Sequence, residues 1–120
     1  MYILIADNTK EIVALLQDVL RQKGHEVDTA FDGKEAHGLL EGHVYDLVIL
    51  DHDMPEITGI ELVKLIRAGK CPTKIVMITG YPTIQDFFIK ALGADEYIPK
   101  PFTMDQIYAV IKKYDKKNTA

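Results

Sequence analysis

Five short apolar runs, separated by amphipathic stretches, constrain this chain more than any other feature. They cover Tyr2–Ala6 and residues 27–31, 47–50, 75–78 and 97–99. Runs of this length bounded by turn residues read as strands, and the near-continuous run before Asp51 suits a strand buried on both faces. In the first intervening stretch Ile12, Val13, Leu15, Leu16, Val19 and Leu20 recur at helical spacing, and Gly24 closes the helix. A second helix is expected over residues 34–40. A third carries Ile60, Val63, Leu65 and Ile66 and ends near Gly69, and a fourth spans residues 83–92. The last carries Ile107, Val110 and Ile111 behind Thr103 as N-cap. Strands alternating with helices through short connections imply an α/β fold, a parallel sheet covered on both faces. For a doubly wound five-stranded parallel sheet the expected order is 2-1-3-4-5. The switch point then falls between the first and third strands, and the second strand lies at an edge.

With 120 residues the chain suits one domain, expected over residues 1–115, with 116–120 as a tail or the start of a linker. Apolar residues make up 48%, enough for a core, yet no apolar run is long enough for a membrane helix. The chain enters a strand-like run at once, so no signal peptide is expected. The single cysteine, Cys71, precludes an internal disulfide and points to the reducing cytoplasm, as an inert loop thiol before Pro72. A net charge of -4 argues against nucleic acid as a ligand of this domain. The basic stretch from Lys112 to Lys117 reads as a solvated helix end, where cations complement the macrodipole.

Four of the five runs end in a residue suited to phosphoryl chemistry: Asp7, Asp51, Thr79 and Lys100. The run over 27–31 delivers only Asp32-Gly33. Ligands of open α/β sheets bind outside the carboxyl ends of the strands at the switch point, where Asp7 and Asp51 would sit. Magnesium takes hard oxygen ligands, commonly one or two carboxylates plus water and phosphate oxygens. Asp7 alone would read as a helix cap; its pairing with Asp51 favours a metal. Asp51 is the candidate nucleophile, because a carboxylate can form an acyl phosphate. The Thr79 hydroxyl can hydrogen-bond a phosphate oxygen, and Lys100 can pair with a phosphoryl group as a point charge. Pro99 and Pro101 flank Lys100, and Lys100–Pro101 is a candidate cis peptide. His25, His37, His43 and His52 have no zinc-like spacing and are expected on the surface.

These residues resemble a known family. The run Ile3-Leu4-Ile5-Ala6-Asp7-Asn8, the segment from Asp46 through Asp51, His52, Asp53, Met54 and Pro55 to Gly59, then Met77-Ile78-Thr79-Gly80 and Gly93 through Lys100-Pro101-Phe102 look like a response-regulator receiver domain of two-component signalling. The resemblance covers essentially the whole chain. It implies a flavodoxin-like (βα)5 three-layer sandwich in which Asp51 is the phosphoacceptor and Asp7 belongs to an acidic pair that binds Mg²⁺ or Mn²⁺. Thr79 matches the switch hydroxyl, Lys100 the lysine contacting the phosphoryl group, and Tyr97 the aromatic rotamer switch. The implied partners are a sensor histidine kinase or histidine phosphotransfer protein, and a downstream target or output domain. The latter would bind the face formed by the fourth helix, fifth strand and fifth helix, with a phosphorylation-dependent homodimer as a further option. On the fourth helix, Ile84, Phe87, Phe88 and Ala91 form a core-facing stripe; Ile89 lies off it and Leu92 at its margin, as a partner surface. A signalling switch of this kind turns over no external substrate.

One departure stands out: the second acid of the usual pair is Asn8. An amide oxygen can coordinate but lacks the charge. Asp53, whose backbone carbonyl matches a family metal ligand, either restores that charge with its side chain or faces solvent while Mg²⁺ binds weakly. Two rival readings remain. Asp51-His52-Asp53 after an apolar strand mimics haloacid-dehalogenase-type phosphatases, though the acids after Lys100, Asp105 and Asp115, end no strand. Asn8 favours a receiver-like adaptor that is never phosphorylated.

Overall fold

Alternation along the strands builds two cores at once. In the computed structural model, which describes residues 1–80 and 92–115, the strands are β1 (Tyr2–Ala6), β2 (Glu26–Ala30), β3 (Leu47–Asp51), β4 (Lys74–Thr79) and β5 (Glu96–Pro99). The helices are α1 (Lys10–Gln22), α2 (Gly33–Gly42), α3 (Gly59–Ala68) and the C-terminal α4 (Met104–Tyr114). The sheet is wholly parallel in the order β2-β1-β3-β4-β5, as the alternation predicts. Ile3 and Ile5 of β1 join Leu47 and Ile49 of β3 on one face, which α1 and α4 cover through Val13, Leu16, Leu20, Ile107 and Ile111. Leu4, Ala6, Val48 and Leu50 face the other way, beneath Ala36 of α2 and Leu62, Val63 and Ile66 of α3. All of β3 is buried, consistent with its continuous apolar run.

Helix starts are set by short polar side chains. Asp32 accepts from the Glu35 N–H, Thr58 from the Glu61 N–H, and Thr103 forms a capping box with Gln106. Not every apolar residue at helical spacing is buried. Leu15 and Leu65 are 47% and 45% exposed, because the apolar residues of α1 and α3 form bands wider than the face the sheet can cover. Leu62 of α3 is fully buried instead. The fourth expected helix, with Ile89, lies outside the described residues, whereas Leu92 is half-buried against the α2–α3 core. His25 is buried rather than solvated: it lies 2.9 Å from the Met1 ammonium through Nδ1 and 3.9 Å from Asp115 through Nε2. Burial first, then the Met1 ammonium, pushes its pKa down.

At the amino-terminal edge of the sheet one arginine gathers several segments. Arg67, in the last turn of α3, donates from Nε to the Gly93 carbonyl at 2.8 Å and from Nη1 to the Cys71 and Thr73 carbonyls at 2.8 and 2.9 Å. Its Nη2 reaches Asp95 Oδ2 at 2.9 Å, and that same oxygen accepts the Ile75 N–H at 2.8 Å. Gly93 has φ +115°, and a Cβ there would lie 2.6 Å from Arg67 Cγ, so both backbone and packing require glycine. Removing the guanidinium would leave three carbonyls and a carboxylate without this donor. Arg67→Met is expected to lower stability by about 2 kcal/mol in urea unfolding, with the m value unchanged.

Candidate functional site

Register brings the strand ends together. Ala6 pairs with Leu50, Asp51 with Ile78 and Thr79 with Pro99, so Asp7, Asp51, Thr79 and Lys100 emerge on neighbouring rungs at the carboxyl edge. Asp7 and Asp51 are each 3% exposed, and Thr79 is fully buried. Lys100 Nζ stands 3.2 Å from Asp7 Oδ2 and 3.3 Å from Asp51 Oδ2, a single ammonium shared by two carboxylates. The Lys100 N–H donates to the Thr79 carbonyl at 2.9 Å, and Lys100–Pro101 is a cis peptide. Asp51, Asp53, Gly80 and Lys100 line a cleft of about 230 Å³, so the candidate nucleophile borders open space.

The other predicted residues are less tightly gathered. Asp7 is not a helix cap: Thr9 holds the N-cap position of α1, and Asp7 Oδ1 accepts the Thr9 N–H at 2.8 Å. Asn8 and Asp53 are exposed, and the Asp53 N–H donates to Asp51 Oδ1 at 3.3 Å. Tyr97 is half-buried against the α2–α3 core. His52 was expected on the surface but is half-buried, and its Nδ1 accepts the Ile60 N–H at 3.3 Å. Its sequence position beside a buried strand end was the available hint; the partner eight residues on was not foreseeable.

Charge is unevenly matched here. Burial, then repulsion from Asp7, pushes the Asp51 carboxyl up to about 6, against the partial relief given by Lys100 and the Asp53 N–H. The residues suit Mg²⁺ or Mn²⁺: two buried carboxylate oxygens already converge on one cationic group, and both are hard donors. Among the described residues no third His, Cys, Asp or Glu completes a three-side-chain metal group. Such an ion would be held by Asp7 and Asp51 with amide, backbone and water oxygens.

The fold and this edge define a doubly wound α/β protein with an acidic pocket at its topological switch point. The response regulator receiver domain model matches residues 3–112, and the chain belongs to that family. Curated relatives include the transcriptional regulatory protein TcrA of Mycobacterium tuberculosis, 34% identical over 117 residues, covering 96% of this chain and 46% of TcrA. Another is the alkaline phosphatase synthesis transcriptional regulatory protein PhoP of Bacillus subtilis, 39% identical over 111 residues, covering 92% and 46%. The chain thus spans about half the length of these relatives. Among solved structures, the Francisella response regulator 1452 receiver domain superposes with a TM-score of 0.90 at 28% identity, covering 98% of each chain. TrrA of Thermotoga maritima, in complex with Mg²⁺ and BeF, gives 0.84 at 38% identity, covering 94% and 97%. Receiver domains of response regulators are signalling switches of two-component systems rather than enzymes of external turnover. The family membership sets the haloacid-dehalogenase reading aside.

The Asp51 shift carries a sign. Its folded-state pKa lies above the ordinary 3.8, so its contribution to stability is present below about pH 4 and is lost as pH rises through about 6. In metal-free buffer Asp51→Asn is expected to exceed wild type in stability by about 1–2 kcal/mol at pH 7.5. That advantage should vanish near pH 4, as read from urea unfolding across pH.

Proposed function

We propose that this receiver domain takes a phosphoryl group onto Asp51 from the phosphohistidine of a sensor kinase or phosphotransfer protein. The observation carrying this reading is the pair of buried carboxylates sharing Lys100 beside an open cleft. An Asp51 oxygen attacks phosphorus, the P–O bond forms as the P–N bond breaks, and the imidazole leaves with the bonding pair. Asp7, Asp51, the Asp53 carbonyl and Asn8 would hold a Mg²⁺ ion, which would supply neutralisation of the charge on the transferring group. Lys100 is already within salt-bridge distance of Asp51 and turns its ammonium to the phosphoryl oxygens. Thr79, buried at the end of β4, donates its hydroxyl to another of them. Positioning and charge do the catalytic work, as expected for phosphoryl transfer.

The added group brings roughly two negative charges and three acceptor oxygens. Drawing Thr79 toward it opens space for Tyr97 to turn inward, which biases a two-state equilibrium at β5 and the neighbouring α4. That surface then engages a target, an output domain or a second copy of the chain. The adaptor alternative rests on Asn8. Asp53 acts against it by placing a carboxylate near the ion without ligating it, as its exposure suits. Calorimetric titration should show Asp53→Asn binding Mg²⁺ about tenfold more weakly than wild type. Unchanged affinity means the adjacent charge does not substitute for the missing acid. Mass spectrometry after incubation with acetyl phosphate and Mg²⁺ tests the main reading. A phosphoryl adduct is expected on wild type and absent from Asp51→Ala, and an unmodified wild type would favour the adaptor.

A further inference from the structure

The residue after the proposed acceptor binds the connecting loop at both of its ends. The His52 N–H donates to the Ile78 carbonyl of β4 at 3.3 Å. Its own carbonyl accepts the Met54 N–H at 2.9 Å and the Gly59 N–H at 3.2 Å. Its imidazole Nδ1 accepts the Ile60 N–H at 3.3 Å. The first turn of any α-helix exposes N–H groups with no partner inside the helix. In α3 Thr58 serves Glu61, while His52 serves both Gly59 and Ile60. The first residue of α3 is also pressed against the acceptor. A Cβ on Gly59 would lie 2.7 Å from the Asp51 carbonyl oxygen and 2.8 Å from His52 Cα. The helix start can therefore approach this closely only as glycine.

We infer that His52 is a positioning residue for the phosphoacceptor: its imidazole, bound to the Ile60 N–H, fixes the start of α3 against β3 and so fixes the loop that aims at Asp51. Two parts of that loop matter to the site. The Asp53 N–H donates to Asp51 Oδ1, holding the carboxylate rotamer, and the Asp53 carbonyl belongs to the proposed metal ligands. Both are carried by the residue next to His52. Releasing Ile60 lets residues 52–60 shift as a unit, and an error of about 1 Å in such a loop costs roughly a hundredfold in rate when it misaligns reacting atoms. The backbone contacts of His52 survive substitution by leucine, alanine or asparagine; the side-chain contact is lost with leucine or alanine.

This inference rests on the phosphoacceptor reading, and the test separates the two. His52→Leu removes the acceptor atom at similar bulk, with His52→Ala as the substitute should the leucine variant not fold. His52→Asn places Oδ1 where Nδ1 stands, and so restores an acceptor for Ile60. The rate of adduct formation with acetyl phosphate and Mg²⁺ is measured on each, together with hydrogen exchange of the Ile60 amide. His52→Leu is expected to form the adduct roughly tenfold or more slowly and to lose protection at Ile60, with both restored in His52→Asn. A wild-type rate in His52→Leu, or no rescue by His52→Asn, would overturn the positioning role while leaving the acceptor in place. A wild-type protein that forms no adduct overturns the acceptor reading and this inference with it, and the exchange of Ile60 then reports only a helix cap.

Discussion

Two carboxylates removed from water and held by one ammonium set the terms for the whole carboxyl edge. Taking a carboxylate into the interior costs several kcal/mol even after relaxation, and a salt bridge offsets that only with good geometry. Asp7 and Asp51 share Lys100 at 3.2 and 3.3 Å, so the pocket keeps a net negative charge. The raised Asp51 carboxyl records which effect wins: burial and like charge outweigh the lysine. A site in that condition gains from further positive charge. It also needs β1, β3, β4 and β5 in register, because a slip of one residue would turn these side chains to the wrong face.

The opposite edge is matched in charge. Arg67 meets Asp95 one to one and spends its remaining donors on three carbonyls that the strands leave open. On the outer flank the hydroxyls of Tyr2 and Tyr45 both reach Asp28 Oδ2, the latter at 2.7 Å, which lets β2 carry a carboxylate on an edge strand. The Arg67 guanidinium and the Asp28 carboxylate are satisfied within the protein, as buried polar groups usually are, whereas the buried Thr73 hydroxyl finds no partner among the described residues.

Much of this was legible in the sequence. Strand identity followed from apolar runs, the parallel sheet from strand–helix alternation, and the convergence of Asp7, Asp51, Thr79 and Lys100 from the polar residues that end four of the five runs. Those signals are local, and they are the ones that parallel sheets translate directly into space. Leu15 and Leu65 share the helical spacing of their buried neighbours yet stay exposed, because periodicity cannot say how wide a face the sheet will cover. His25 and His52 were misread because their burial depends on partners remote in the chain, Asp115 and Ile60 respectively. The Arg67 cluster joins four segments, and no spacing announces such a meeting.

Strand β5 spans only Glu96–Pro99, with Asp95 bound to Arg67 and Ile75 just before it and Lys100 just after. It therefore resembles a short beam clamped at one end and loaded at the other. A pull on Lys100 has little backbone over which to dissipate before meeting the clamp. The anchorage on the far side of the sheet therefore sets how far β5 can yield.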